Sequence, residues 1–136
     1  MDNDTLLAVA TIWQEARGNT LTEQDLVAQV IKNRMRERFF SDGSVVDTVT
    51  RPFQFSGWRD PEIVRGSLLF ASSNVGQVAD LTTSWNLGYP NEPDLVQYYS
   101  PCSMTPQGSV PDWAQGKTPA LVTPNFRFFT LAQMRG

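Results

Sequence analysis

The chain contains no histidine and only one cysteine, Cys102. Without histidine there is no Ser-His-Asp triad, no Cys-His pair and no His-ligated zinc. One cysteine allows neither an intramolecular disulfide nor a cysteine-rich metal site. Lacking an activating base, Cys102 reads as a small packing residue rather than a nucleophile. No cofactor or metal is expected. No run of about 18 apolar residues is present, so no membrane span is predicted. The N-terminus, Met1-Asp2-Asn3-Asp4, is acidic and lacks the basic region of a signal peptide. Basic charge is also scarce: 11 Lys and Arg stand against 14 Asp and Glu, a net charge of -3. That balance argues against nucleic acid as a partner and against a polycationic membrane-disrupting segment. If the chain is a hydrolytic enzyme, carboxylates are the acid-base groups that remain.

The 136 residues fit one domain, with 40% hydrophobic residues to fill a core. Leu6, Val9, Ala10 and Trp13 recur at helical spacing and predict a first helix from Thr5 to Arg17. Its candidate N-caps are Asp2, Asn3 and Asp4, and Gly18 is the stop. Thr22 to Asp25 resembles a capping box opening a second helix. Leu26, Val27, Val30 and Ile31 form its apolar stripe, and Arg34, Arg36 and Arg38 read as a solvated basic face. Val45 to Val49 fits one or two helical turns, closed at Arg51-Pro52. Residues 53–58 read as a loop or short extended strand. Asp60-Pro61 then starts a third long helix running to Leu81, with Ile63, Leu68, Leu69, Phe70 and Val75 as core candidates. From Thr82 to Asn125 repeated prolines, Pro90 among them, break the pattern. Val96 to Tyr99 and Phe126 to Phe129 look extended, with Gly108 and Gly116 at turns. The expected fold class is α+β and mostly helical: helices first, then a proline-rich lobe of loops and short strands.

Glu15 is the candidate catalytic acid. Ala8, Ile12 and Glu15 lie on one row of the first helix, so its carboxyl sits where an apolar row meets the helix end. Partial desolvation there raises a carboxyl pKa and lets it protonate a leaving oxygen, as glycosidic cleavage needs. The competing reading is a solvated charge paired with Arg17 or Arg36. Gln54 and Ser56 carry hydroxyl-binding or loop-satisfying groups, and both readings stand. Asn33 either reaches toward Glu15 or caps locally. Tyr98 and Tyr99 alternate faces of a strand, so one can meet sugar C–H faces while the other packs. Phe53 and Phe55 share a face, and at least one of them packs in the core.

Three linked segments carry a resemblance: Trp13 to Gly18 containing Glu15-Ala16-Arg17-Gly18, Val27 to Arg34 ending in Asn33-Arg34, and Phe53-Gln54-Phe55-Ser56. Together they resemble the SleB-type cell-wall hydrolase family of spore-cortex lytic enzymes and phage lysins. Tyr98-Tyr99-Ser100-Pro101 and Phe126 to Phe129 resemble that family's later aromatic strands. The resemblance implies a lysozyme-like fold, a single catalytic domain over residues 1–136, and cleavage of the MurNAc–GlcNAc β-1,4 bond with Glu15 as acid. It further implies substrate-binding roles for Gln54, Phe55, Ser56, Tyr98, Tyr99 and Asn33. Peptidoglycan glycan strands are the expected partner, with no nucleic acid, no membrane and a monomeric state. Two departures bear on mechanism. Asn19 stands where the family usually has a second acid, and the late segment has no histidine. The first favours a lytic transglycosylase with one acid/base over a two-carboxylate hydrolase, and the second implies that the late strands serve shape more than proton transfer. The expected setting is a phage endolysin made in the host cytoplasm and acting in the periplasm after release, or a virion-associated lysin. The alternatives are a non-catalytic glycan-binding or structural particle protein on the same fold, and, disfavoured by charge, a nucleic-acid-binding domain.

Overall fold

The structure is a computed structural model that describes residues 1–52, 54–87 and 92–136, Leu87 by its backbone alone. Phe53, expected to share a face with Phe55, and Pro90, expected as a breaker, lie outside the described residues. The architecture is α+β and mostly helical. The chain divides into two compact units, Met1–Glu92 and Pro93–Gly136. Among the described residues no helix is long and apolar enough to cross a membrane.

The first unit is helical. Helix α1 spans Asn3–Ala16, capped by the Asp2 side chain, which accepts from the Thr5 N–H at 2.7 Å. Gly18 follows with φ +78°, a left-handed turn that glycine adopts without strain. Helix α2 spans Leu21–Glu37. Its cap is Thr20, not Thr22: the Thr20 hydroxyl accepts from the Glu23 N–H at 3.2 Å and donates to Glu23 Oε1 at 3.3 Å. The box therefore runs Thr20 to Glu23, two residues closer to Gly18, and Glu23 is fully buried within it. At its other end α2 stops at Arg38, left-handed with φ 51°, where the Phe39 N–H bonds the Arg34 carbonyl at 3.0 Å.

Helix α3, Val45–Thr50, ends before Pro52 as the sequence dictates. Residues 56–59 are a 3-10 turn, Ser56–Arg59, rather than an extended strand. Helix α4, Pro61–Ser73, starts on Asp60, whose carboxylate accepts from the N–H groups of Glu62 and Ile63. The single helix expected from Pro61 to Leu81 is interrupted at Asn74, and α5 then runs Val75–Leu87, past the expected change at Thr82. The break has a local cause. The Ser72 and Ser73 hydroxyls both bond the Leu69 carbonyl, drawing the last turn of α4 onto side-chain partners. Only one face of α4 is buried, through Ser67 and Phe70. Leu68 and Leu69, expected in the core, are exposed because they fall on the other side of α4, and Val75, also expected there, is exposed at the start of α5.

Helix α1 is the axis of this unit and packs against α2, α3, α4, α5 and the 3-10 turn. Ala8, Val9, Ile12 and Ala16 of α1 meet Leu26, Val27, Val30 and Ile31 of α2 in the core, all 0–1% exposed. Small residues on α1 permit this close approach on several sides. Gly66 of α4 serves the same end: a Cβ there would stand 3.1 Å from the Trp13 ring.

The second unit is a three-stranded antiparallel sheet in the order β1-β3-β2. The strands are β1 Leu95–Tyr99, β2 Leu121–Val122 and β3 Arg127–Thr130. Tyr98 pairs with Phe128 and Tyr99 with Arg127, and an irregularity between Leu95 and Gln97 shifts the register. Gly108 and Gly116 both have positive φ, as turn glycines. A closing helix, α6 Leu131–Arg135, carries a capping box between Thr130 and Gln133. Cys102 is exposed on a 3-10 turn, so it is not the packing residue its isolation predicts.

Candidate functional site

The first helix delivers Glu15 to its last turn. Ala8 and Ile12, in the same row, are fully buried, Ala16 beside it is fully buried, and Glu15 itself is half-buried. The carboxyl thus stands at the margin of the apolar core, as the row predicts. Its two candidate cation partners are Arg17 and Arg36. The Arg17 guanidinium lies 4.6 Å from the Trp13 ring centroid and donates to the Gln14 carbonyl at 3.1 Å. Arg36 bonds the neighbouring Glu37 at 3.3 Å.

The second and third motif segments meet through Arg34. This residue belongs to the run expected on a solvated face, and the structure corrects that: Arg34 is 1% exposed. Its guanidinium lies 4.8 Å from the Phe55 centroid and 5.7 Å from that of Phe39. Its Nη1 donates to Gln54 Oε1 at 3.3 Å. A planar cation between two aromatic faces loses less on desolvation than an ammonium would, which suits arginine here. The signal was present in the spacing. Val27, Ile31 and Arg34 fall at i, i+4 and i+7 on the apolar stripe; Arg36 does not, and Arg38, though at i+11, lies past the helix end as its C-cap.

Gln54 and Phe55 are consequently held from behind. Gln54 is half-buried, with its backbone N–H on the Arg51 carbonyl at 3.3 Å and its side-chain oxygen on Arg34. Phe55 is 3% exposed and packs as core. Ser56 is exposed at the start of the 3-10 turn. Asn33 is fully buried. Its amide donates to the Glu92 carbonyl at 2.7 Å and its oxygen accepts from Gln29 at 3.3 Å. It braces α2 against the segment that follows α5.

Another buried polar group on α2 lies outside the expected site. Asp25 accepts a hydrogen bond from the Ser84 hydroxyl of α5, and burial pushes its carboxyl above the ordinary carboxylate value, the Ser84 bond opposing the rise. Asp25, Gln29 and Asn33, at i, i+4 and i+8, make a buried polar row down α2.

In the second unit, Tyr98 and Tyr99 are both half-buried and occupy opposite faces of β1. Tyr98 meets Phe126 edge-on at 5.2 Å and Phe128 at 5.5 Å. Tyr99 meets Trp113 at 5.9 Å and stacks on Phe129 at 6.1 Å. The structure therefore brings Arg34, Gln54 and Phe55 into one cluster and gives each tyrosine its own aromatic neighbours. Comparison with family models, curated proteins and solved structures finds no match to this chain.

Proposed function

We propose that the chain is a muralytic enzyme that cleaves the MurNAc–GlcNAc β-1,4 bond of peptidoglycan with Glu15 as its single acid/base. The observation that carries this reading is the joining of the Asn33-Arg34 segment to Gln54-Phe55 through one buried guanidinium, on a helix packed against the helix that bears Glu15. Residues that resemble one family's motif in sequence are thus linked in space, 20 residues apart. A half-buried carboxyl at a core margin suits an acid that must donate a proton near neutral pH.

In this reading Glu15 protonates the glycosidic oxygen as the bond to MurNAc C1 breaks. It then takes the proton of the MurNAc 6-hydroxyl as that oxygen attacks C1, leaving a 1,6-anhydro end. The route needs one carboxyl group, in keeping with Asn19 in place of a second acid. Gln54 and Ser56 hydrogen-bond the sugar, and Phe55, Arg34 and Asn33 hold the loop and helix from behind. The fold is proposed as lysozyme-like and the working state as a monomer, in a phage endolysin or a virion-borne lysin. The test is clearing of purified peptidoglycan. Glu15→Gln is expected to keep the fold and lose activity by at least about a hundredfold, the low end of what general acid catalysis contributes. A variant as active as the native chain overturns the assignment.

A further inference from the structure

The far side of the same helix end carries a second concave feature. A pocket of about 260 Å³ is lined by Trp13, Arg17, Asn19, Gln24, Phe70, Gln77 and Asp80, among others. On a helix of 3.6 residues per turn, Trp13 and Arg17 each point about 160° away from Glu15. Trp13 and Arg17 therefore face away from the side of α1 that Glu15 occupies.

Its floor is apolar and fixed. Trp13 and Phe70 stack at 5.5 Å with planes 26° apart, and glycine at position 66 lets the Trp13 ring settle against α4. Its rim is charged with both signs. The Arg17 guanidinium is held flat over Trp13 and spends Nη1 on the Gln14 carbonyl. Four of its five N–H donors remain beyond that bond. Asp80, exposed on α5, is on the same rim. Among the described residues, Arg17 and Asp80 form no ion pair with each other or with any other group. A cation held on Trp13 and an anion on the wall of the same pocket, not paired with each other, leave room for a ligand that bridges them.

We infer that this pocket binds a small zwitterion, with its carboxylate on Arg17, its ammonium on Asp80 and its aliphatic body against Trp13 and Phe70. The volume lies below the roughly 300–1,000 Å³ of pockets for drug-sized ligands, which limits the occupant to amino-acid size. A neutral sugar leaves both charges unanswered, and a singly charged ligand leaves one. Free amino acids and the diamino acid of a wall peptide share the required chemistry.

The experiment follows the Trp13 indole N–H in proton–nitrogen correlation spectra of the full chain. The probes are L-alanine, 6-aminohexanoate and a sugar-free stem tetrapeptide containing a diamino acid, with butylamine, butyrate and N-acetylglucosamine as controls. A saturable shift is expected with at least one zwitterion at concentrations up to the millimolar range, the affinity of a ligand held by a few contacts, about 1 mM. Asp80→Asn and Arg17→Gln should each weaken it about tenfold or more, the worth of one charge-assisted contact. Tighter binding of the tetrapeptide identifies a wall peptide as the source, and tighter binding of a free amino acid identifies a metabolite. Absence of a saturable shift, controls that bind as well as the zwitterions, or unchanged binding by Asp80→Asn overturns the inference. Asp80 is exposed and its replacement isosteric, so loss of fold does not confuse that arm. Glu15→Gln is expected to bind the probe as the native chain does, so this result and the result for wall cleavage are read separately.

Discussion

The guanidinium of Arg34 lies over the ring of Phe55, 4.8 Å from its centroid, with both side chains withdrawn from solvent. Through this contact, and through the hydrogen bond to Gln54, α2 fixes the loop that leads into the Ser56–Arg59 turn. Arg34→Ala removes the stack, the charge-assisted hydrogen bond and most of a buried side chain. It should lower the unfolding free energy by about 3 kcal/mol. Arg34→Lys keeps charge and length but not the planar fork, and should cost about 1–2 kcal/mol. Urea midpoints at constant m-value measure both. A change within about 0.5 kcal/mol, the range of an ordinary surface site, would return Arg34 to the solvated face.

Gly57 is required by Gln14, not by its own backbone. A Cβ at position 57 would stand 2.6 Å from Gln14 Oε1 and 3.1 Å from Gln14 Cβ. Gln14 cannot swing away freely, because it is buried and its amide donates to the Ser67 hydroxyl at 3.1 Å. Gly57→Ala should therefore destabilise the chain by about 1–3 kcal/mol, the usual cost of overpacking. In a Gln14→Ala background the Oε1 and Cδ contacts are gone and only the 3.1 Å approach to the Cβ at position 14 remains, so the same change should cost less. The double-mutant cycle should return a coupling of at least about 0.5 kcal/mol. Strictly additive effects would place the cost of the methyl group elsewhere.

The buried carboxyl of Asp25 makes stability depend on acid pH. Burial raises its folded pKa above the ordinary 3.8, so between the two values the native state holds more of the proton than the unfolded state does. Stability contributed by this group is therefore present below 3.8 and is lost as pH rises through the folded value. Asp25→Asn keeps an acceptor for the Ser84 hydroxyl and removes the titration. Its stability relative to the native chain should rise with pH across that window and level off at neutral pH. Denaturant titrations of both chains from pH 3 upward, about half a unit apart, check the sign. A difference that is flat or falls with pH contradicts it.

The legible parts of the fold are those with local punctuation. Asp60-Pro61, Gly18 and the alternating aromatics of β1 and β3 each announce an element, and the elements stand near the expected bounds. The misreadings have different causes, some local and some tertiary. Two overlapping boxes compete at the start of α2, and Thr20 is the cap, its hydroxyl bonded to both the backbone and the buried side chain of Glu23. Arg34 reads as a surface charge unless its place on the apolar stripe is weighed against its type. The helix expected from Pro61 to Leu81 breaks at Asn74 because serine hydroxyls take the Leu69 carbonyl there. Strand β2 has only two residues, too few for any periodicity, and exists through its pairing with β3. Helix α6 carried a readable signature, Thr130 to Gln133, obscured by its five-residue length.

The candidate site was legible to a different degree. The row Ala8, Ile12, Glu15 located the carboxyl at the core margin without any coordinates. Asn33 lies on the apolar stripe with Leu26 and Val30, but an asparagine near the end of a helix reads equally well as a cap. The pairing of Gln54 with Arg34 joins residues 20 apart in sequence and needed the structure to appear.

Mass spectrometry of the muropeptides released from purified peptidoglycan, by the native chain and by Glu15→Gln, tests the central claim most directly. Fragments from the native chain should end in 1,6-anhydro sugars, lighter by one water than hydrolysed ends, and Glu15→Gln should release none above the blank. Intact glycan with the native chain, or the same fragments from both chains, would contradict the account.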